Sequence, residues 1–271
     1  MALRDARIAV VGAGAMGGAI ARGLVESGAV PAPQVLACDH SASKLEPLAA
    51  LGAVCRQDAA ELLSLGFDLT VLAVKPQVLP AVLKELEPLL AGHAVVSIAA
   101  GVALDALETA LPGSRVLRAM PNLPVQALSG ATALCAGDGC TREDVGLVRD
   151  AFAALGVCEL MREDQLDVAG AVSGCGPAYF ALIVDQLVRA GVERGLAAGA
   201  CRRMVLSTMR GTACQLLDSG EHPRAYMERV TSPGGTTAAG LKAMETQSFW
   251  ATSEAVEAAL GRNAELAGGK A

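Results

Sequence analysis

The chain has 271 residues, enough to bury a sizeable core in one large domain or two modest ones. Its net charge of −6 comes without a basic stripe or stacking aromatics, which argues against nucleic acid and anionic lipid as partners. No run of about 18 residues lacks charged or turn-forming residues, so no membrane-spanning helix is expected, and the opening MALRDAR leads into a strand with no signal peptide before it.

The first expected strand covers residues 7–12 and ends in Gly12-Ala13-Gly14-Ala15-Met16-Gly17, a G-x-G-x-x-G that opens an amphipathic helix over 16–27. In such a turn the first glycine permits the tight bend, and the second lets a pyrophosphate approach the backbone. The third lets helix and strand pack closely, while the phosphates face the N–H groups of the helix start. A second strand, 35–39, ends in Asp39, 22 residues after Gly17 (39 − 17), where a carboxylate accepts from a ribose 2′-OH and favours NAD. Ser41, Ser43 and Lys44 follow at once. Hydroxyls and an ammonium there can instead hold the 2′-phosphate of NADP, or Ser41 simply caps the helix expected over 41–51.

Further strands are expected at 68–74, 94–99, 115–120, 131–136 and 157–161, with a helix over 77–90. This alternation predicts an α/β Rossmann domain over 1–162, a doubly wound, mostly parallel sheet with helices on both faces. Such sheets bind ligands at the carboxyl ends of their strands. Val74, Lys75, Pro76, Ala99, Ala100, Gly101, Met120 and Asn122 lie at those ends and are candidates to line the nicotinamide.

From 163 to 271 the pattern is all helical, with breaks expected at 174–177, at Gly195, at 219–220 and at 231–240. Two of the helical stretches, 179–194 and 198–217, are apolar around much of their circumference, so a second subunit is expected to cover them. The tail, 266–271, reads as disordered. The eight cysteines lack C-x-x-C or metal-finger spacing, which predicts reduced thiols, no metal and a cytoplasmic protein.

Several stretches together resemble the Δ1-pyrroline-5-carboxylate reductase family. They are the glycine turn, Ala73-Val74-Lys75-Pro76, Ser97-Ile98-Ala99-Ala100-Gly101, Arg118-Ala119-Met120-Pro121-Asn122 and Gly130-Ala131-Thr132-Ala133-Leu134. More specific are Ser173-Gly174-Cys175-Gly176-Pro177-Ala178-Tyr179 and Ser232-Pro233-Gly234-Gly235-Thr236-Thr237. All occur in the family's order along essentially the whole chain. The resemblance implies hydride transfer from NADPH or NADH to the C=N bond of a cyclic imino acid, giving L-proline. It also implies a homodimer built through the helical domain and assembled further, often into a decamer. Three positions depart from the family's usual pattern: Ala15, Leu123 and Cys175 stand where Asn, Thr and Ser are common.

A cyclic iminium is already electrophilic, so less acid catalysis is needed than for a ketone. Orientation is the main requirement. Ser232, Gly234 and Gly235 offer a hydroxyl and successive N–H groups for the substrate carboxylate, with Thr236 beside them at the helix start. By the resemblance, Thr237 is the active-site threonine that meets the ring nitrogen. His40, His93 and His222 lie outside these motifs and read as surface or capping residues. Alternatives to weigh are a reductase of a six-membered imino acid, a non-catalytic nucleotide-binding regulator, and a β-hydroxyacid dehydrogenase. The last needs a positioned lysine in the helical half, which contains only Lys242 and Lys270.

Overall fold

A computed structural model of the chain describes residues 1–268. Two compact units emerge, one comprising Met1–Cys175 with the end of the final helix from Leu260, the other Gly176–Ala259.

The first unit opens with β1 (Ile8–Val11), α1 (Ala15–Glu26), β2 (Val35–Cys38), α2 (Ala42–Ala50), β3 (Val54–Arg56) and α3 (Ala59–Ser64). It continues with β4 (Leu69–Leu72), α4 (Leu79–Leu90), β5 (Ala94–Ser97), α5 (Leu104–Ala110) and β6 (Arg115–Met120). β7 (Gly130–Ala136), α6 (Arg142–Ala153), β8 (Gly156–Leu160) and α7 (Glu163–Ala169) complete it. The strands form one sheet in the order β3-β2-β1-β4-β5-β6-β7-β8. From β3 to β6 every pairing is parallel, β7 runs antiparallel to β6, and β8 runs parallel to β7.

β1, β2, β4 and β5 are buried along their whole length, which explains why they read as unbroken apolar runs rather than as alternating ones. Alternate residues feed two cores. Ile8 and Val10 join Ile20, Leu24, Leu48 and Phe152 on one face, while Ala9 and Val11 join Leu62, Leu86, Leu90 and Leu107 on the other. The expected α/β architecture and all seven expected strands are present, each within about two residues at either end. β3 was not expected. Three half-buried residues at a sheet edge carry too short a pattern to register as a strand.

The break expected at 174–177 narrows to a single bend at Cys175, between a π-helical turn and the next helix. Gly170–Gly174 forms a π-helical turn, and the Cys175 N–H reaches back five residues to the Gly170 carbonyl at 3.0 Å. Pro177 then falls in the first turn of α8 (Gly176–Glu193), where its missing N–H matters least. Glu163–Glu193 forms a 31-residue stretch that is helical on both sides of that bend. By length and composition alone the stretch passes for a membrane span, which was not expected from the sequence.

α9 (Ala198–Ser219), α10 (Pro223–Arg229) and α11 (Thr236–Gly268) follow. The tail read as disordered carries helix through Gly268, and residues 269–271 lie outside the described ones. In the second unit α8 and α9 leave a groove of ≈ 750 Å³ lined by Phe180, Ile183, Leu187, Leu196, Met204 and Leu216. Phe180 is 59% and Met204 63% exposed in the single chain, so the apolar circumference that the sequence showed is uncovered.

One buried ion pair ties the sheet to α7. Arg118 on β6, 6% exposed, bonds the Glu163 carboxylate, which also accepts from the Leu104 N–H at the start of α5 at 2.6 Å. Glu163 is more than one third exposed, so its own charge is partly screened. Arg118→Ala is expected to lower the unfolding free energy in urea by about 1–3 kcal/mol, and a change below about 0.5 would contradict the role given to the pair.

Candidate active site

The parallel register places the carboxyl ends of β1, β2 and β4 side by side, with Val11 opposite Cys38 on one flank and Leu72 on the other. Strand order reverses between β1 and β4, which is where open α/β sheets bind ligands. The glycine turn sits at that crevice. Gly12 has φ +100°, and a Cβ on it would lie 2.8 Å from the Ala73 carbonyl oxygen. A Cβ on Gly17 would overlap the Gly12 carbonyl and lie 2.7 Å from the Ala73 Cβ. At Gly14, by contrast, an added Cβ meets no heavy atom within 4 Å. Two glycines are thus filled by protein, and the middle one faces open space at the start of α1. That arrangement fits a pyrophosphate lying against the backbone.

A cleft of ≈ 260 Å³ opens here, and Gly12, Gly14, Asp39, Val74 and Lys75 line it together. Ala13 and Ala15 line the adjoining groove along α1, and Pro76 and Gly101 a groove beside α4 and α5. Met16 and Gly17 belong to α1 itself. Ala99 and Ala100 follow β5, with the Ala99 N–H 3.3 Å from Ser97 Oγ. Met120 ends β6, its side chain against Gly170.

Two candidates are committed inside the protein. Asn122 is buried; its Nδ2 donates to the Ser173 carbonyl at 2.9 Å and its Oδ1 accepts from the Ala131 N–H at 2.8 Å. Its amide therefore fastens the end of β6 to the start of β7 and to the π-turn. Asp39 is equally occupied. Oδ2 accepts from the Ala13 N–H and Oδ1 from the Ser41 N–H, each at 3.0 Å, and Lys44 Nζ lies 3.0 Å from both oxygens. Burial on its own would raise this carboxyl's pKa, but the bonds from Ser41, Lys44 and Ala13 together hold it below the ordinary value. Ser41 stands at the N-cap of α2 without a capping side-chain bond; its hydroxyl lies 2.9 Å from that of Ser43.

The cleft is also lined by His40, which reads from the sequence as a surface or capping residue, and by Asp58, Ala59, Val78, Val82 and Glu85, which the sequence did not single out. Asp58 follows β3 and caps α3 through the Glu61 N–H at 2.7 Å. β3 carries no readable pattern, so the sequence does not mark Asp58 as following a strand end. Val78 and Val82 stand on the first turns after β4, so the same edge rule reaches them once the α4 start is placed. Burial, then the carboxylates of Asp58, Asp39 and Glu85, push the neighbouring Cys38 thiol up to about 11. All eight cysteines are free, and burial likewise raises Cys140 and Cys158 to about 11, which leaves little thiolate at neutral pH. His222 caps α10, its Nδ1 accepting from the Arg224 N–H at 3.2 Å, and His93 stacks at a tilt on Phe67.

In the second unit, Ser232-Pro233-Gly234-Gly235 closes a turn through the Gly235 N–H and Ser232 carbonyl at 2.9 Å, with φ +68° at Gly234. Proline before a positive-φ glycine is the sequence of a type II turn. A Cβ on Gly235 would overlap Ser232 Oγ, so glycine here leaves that hydroxyl its place. α11 begins at Thr236, and Ala239 N–H makes the first bond back, to Gly235 at 3.3 Å. The N–H groups of residues 236–238 precede any such bond, and both threonines lie inside the first turn rather than at the cap.

Comparison with known proteins completes the picture. Residues 163–266 match the family described as pyrroline-5-carboxylate reductase dimerisation, and residues 7–101 match NADP oxidoreductase coenzyme F420-dependent. The chain is 38% identical to pyrroline-5-carboxylate reductase 3 of Mus musculus, over 96% of each chain. It is 37% identical to pyrroline-5-carboxylate reductase of Pseudomonas aeruginosa, over 96% of this chain and 97% of that one. The chain belongs to the pyrroline-5-carboxylate reductase family. Among solved structures, the Coxiella burnetii pyrroline-5-carboxylate reductase superposes with TM-score 0.91 at 32% identity, over 96% of this chain and 98% of that one. The Plasmodium falciparum pyrroline carboxylate reductase, solved with NADP bound, gives 0.84 at 28% identity, over 97% and 99%. The apolar 31-residue helical stretch lies within the reductase family's dimerisation region, which accounts for its exposed surface in a single chain.

Because the Asp39 pKa is depressed on folding, it contributes stability at pH above its unfolded value, and that contribution disappears as pH falls through the lower folded value. Asp39→Asn is expected to flatten the acid limb of stability below about pH 5, measured by urea midpoints. An unchanged acid limb would refute the bonding described.

Proposed function

We propose that the protein reduces Δ1-pyrroline-5-carboxylate to L-proline, the last step of proline biosynthesis, using NADPH or NADH. The observation that carries this reading is the coexistence, in one reductase-family chain, of a glycine turn shaped for a pyrophosphate and the Ser232–Thr237 turn.

When bound, the nicotinamide supplies the hydride. The chain's residues hold and orient. Gly12, Gly14 and the start of α1 receive the pyrophosphate, and Val74, Lys75 and Pro76 flank the nucleotide. Small residues at Ala99, Ala100 and Gly101 leave room for a flat ring against the backbone, with Met120 beyond them. On the helical side, Ser232 Oγ and the N–H groups at the start of α11 take the substrate carboxylate. A charge-assisted bond at a helix start suits a carboxylate that must be held still while its ring reacts. Thr237 bonds the ring nitrogen and stabilises the amine that forms. Asn122 acts through the backbone that it fastens and needs no contact with the nucleotide.

The helical unit pairs with a second copy through its apolar faces, and five such dimers form a decamer, in the cytoplasm. Sedimentation velocity on the purified chain reads the assembly directly.

Steady-state reduction of pyrroline-5-carboxylate with NADPH and with NADH tests the activity. Thr237→Ala is expected to lower kcat by roughly 10–100-fold, the worth of one hydrogen bond to a charged group. Nucleotide affinity should stay within about twofold of wild type. Turnover near the wild-type value would remove Thr237 from the mechanism.

A further inference from the structure

An acidic residue at the end of the second strand of a dinucleotide fold ordinarily takes the ribose 2′-OH and repels a 2′-phosphate. Asp39 has that position, but its acceptor sites are already occupied by the protein. A carboxylate offers about four acceptor sites. Here Ala13 N–H, Ser41 N–H and two contacts from Lys44 Nζ take them, at 3.0 Å each. The side chain is only 12% exposed, against 49% for Lys44. What the cleft presents at this point is therefore the outer side of an ammonium, with its counter-charge tucked behind it. The hydroxyls of Ser41 and Ser43 lie next along the chain, 2.9 Å from one another. Other acids lining the cleft are Asp58, which caps α3, and Glu85 on α4, while Lys75 and His40 complete its charged and titratable lining.

We infer that Asp39 is an internal clamp of the glycine turn and that Lys44, by covering it, makes the cleft select nucleotides carrying a 2′-phosphate. The inference rests on the dinucleotide reading above and goes beyond it in naming the residue that sets cofactor choice. Removing Lys44 does two things at once. It deletes a cation within reach of the phosphate, and it bares a carboxylate whose repulsion the lysine had cancelled.

Calorimetric titration with 2′,5′-ADP and 5′-AMP, which differ only in the 2′-phosphate, tests this without turnover. Wild type is expected to bind 2′,5′-ADP at least about tenfold more tightly, a margin that shrinks as salt is raised. Lys44→Met should abolish or invert that preference, and Lys44→Arg should keep it. Lys44 is half exposed, so the variants are expected to fold, and circular dichroism checks this. If wild type binds 5′-AMP as tightly as 2′,5′-ADP, or if Lys44→Met keeps the wild-type ratio, the inference fails and the dinucleotide reading stands. If wild type binds neither nucleotide, both fail.

Discussion

The β1–α1 turn has no room for a side chain where it crosses the end of β4, and much of the first unit follows from that contact. Gly12 and Gly17 touch Ala73 and each other so closely that any Cβ would force the helix off the sheet. With both glycines in place, α1 packs flat on one face and delivers Ile20 and Leu24 to the core. Its N-terminus then points its unpaired N–H groups at the crevice between β1 and β4. Packing and anion binding are thus two consequences of one steric condition. The middle glycine, Gly14, escapes that condition because its open side faces the cleft rather than the protein.

Asp39 secures the same turn from the other side. Its two oxygens join the Ala13 N–H of the turn to the Ser41 N–H at the start of α2. The carboxylate joins the first two βα connections, so a charge at a position commonly assigned to ligand recognition also bonds the backbone. Asn122 does the same for the far side of the sheet, joining β6, β7 and the π-turn through one amide. Asn122 is buried and Asp39 partly so, and each bonds through both ends of its side-chain group, the condition under which such a polar group rigidifies rather than destabilises.

The second unit is organised differently. Its helices keep apolar side chains such as Phe180, Leu187 and Met204 at the surface of the single chain, and the family's dimerisation region spans them. The Ser232–Thr237 turn interrupts this helical unit only as far as its glycines require. Gly234 supplies a positive φ, Gly235 makes room for Ser232 Oγ, and α11 restarts at once. A turn that conformational preference alone explains also leaves N–H groups exposed at a helix start, which is the property that the proposed carboxylate site uses.

The sequence by itself determined the strand-helix alternation, the glycine turn and the Pro-Gly-Gly turn, because each rests on local periodicity or on a backbone angle that few residues adopt. β3 is too short to show a period, and the tail from Leu266, which reads as disordered, carries helix through Gly268. The break at 174–177 narrows to Cys175 because a π-turn, whose bond reaches one residue further than usual, carries the helix up to it. What tertiary structure alone decided is the state of the polar groups. Asp39 and Asn122 were legible as polar residues at strand ends, but besides the nearby Ser41 and Lys44 the partners that occupy them lie 26, 9 and 51 residues away. Hydrogen-bond capacity is used up in three dimensions, so no spacing along the chain reveals which donors reach a carboxylate first.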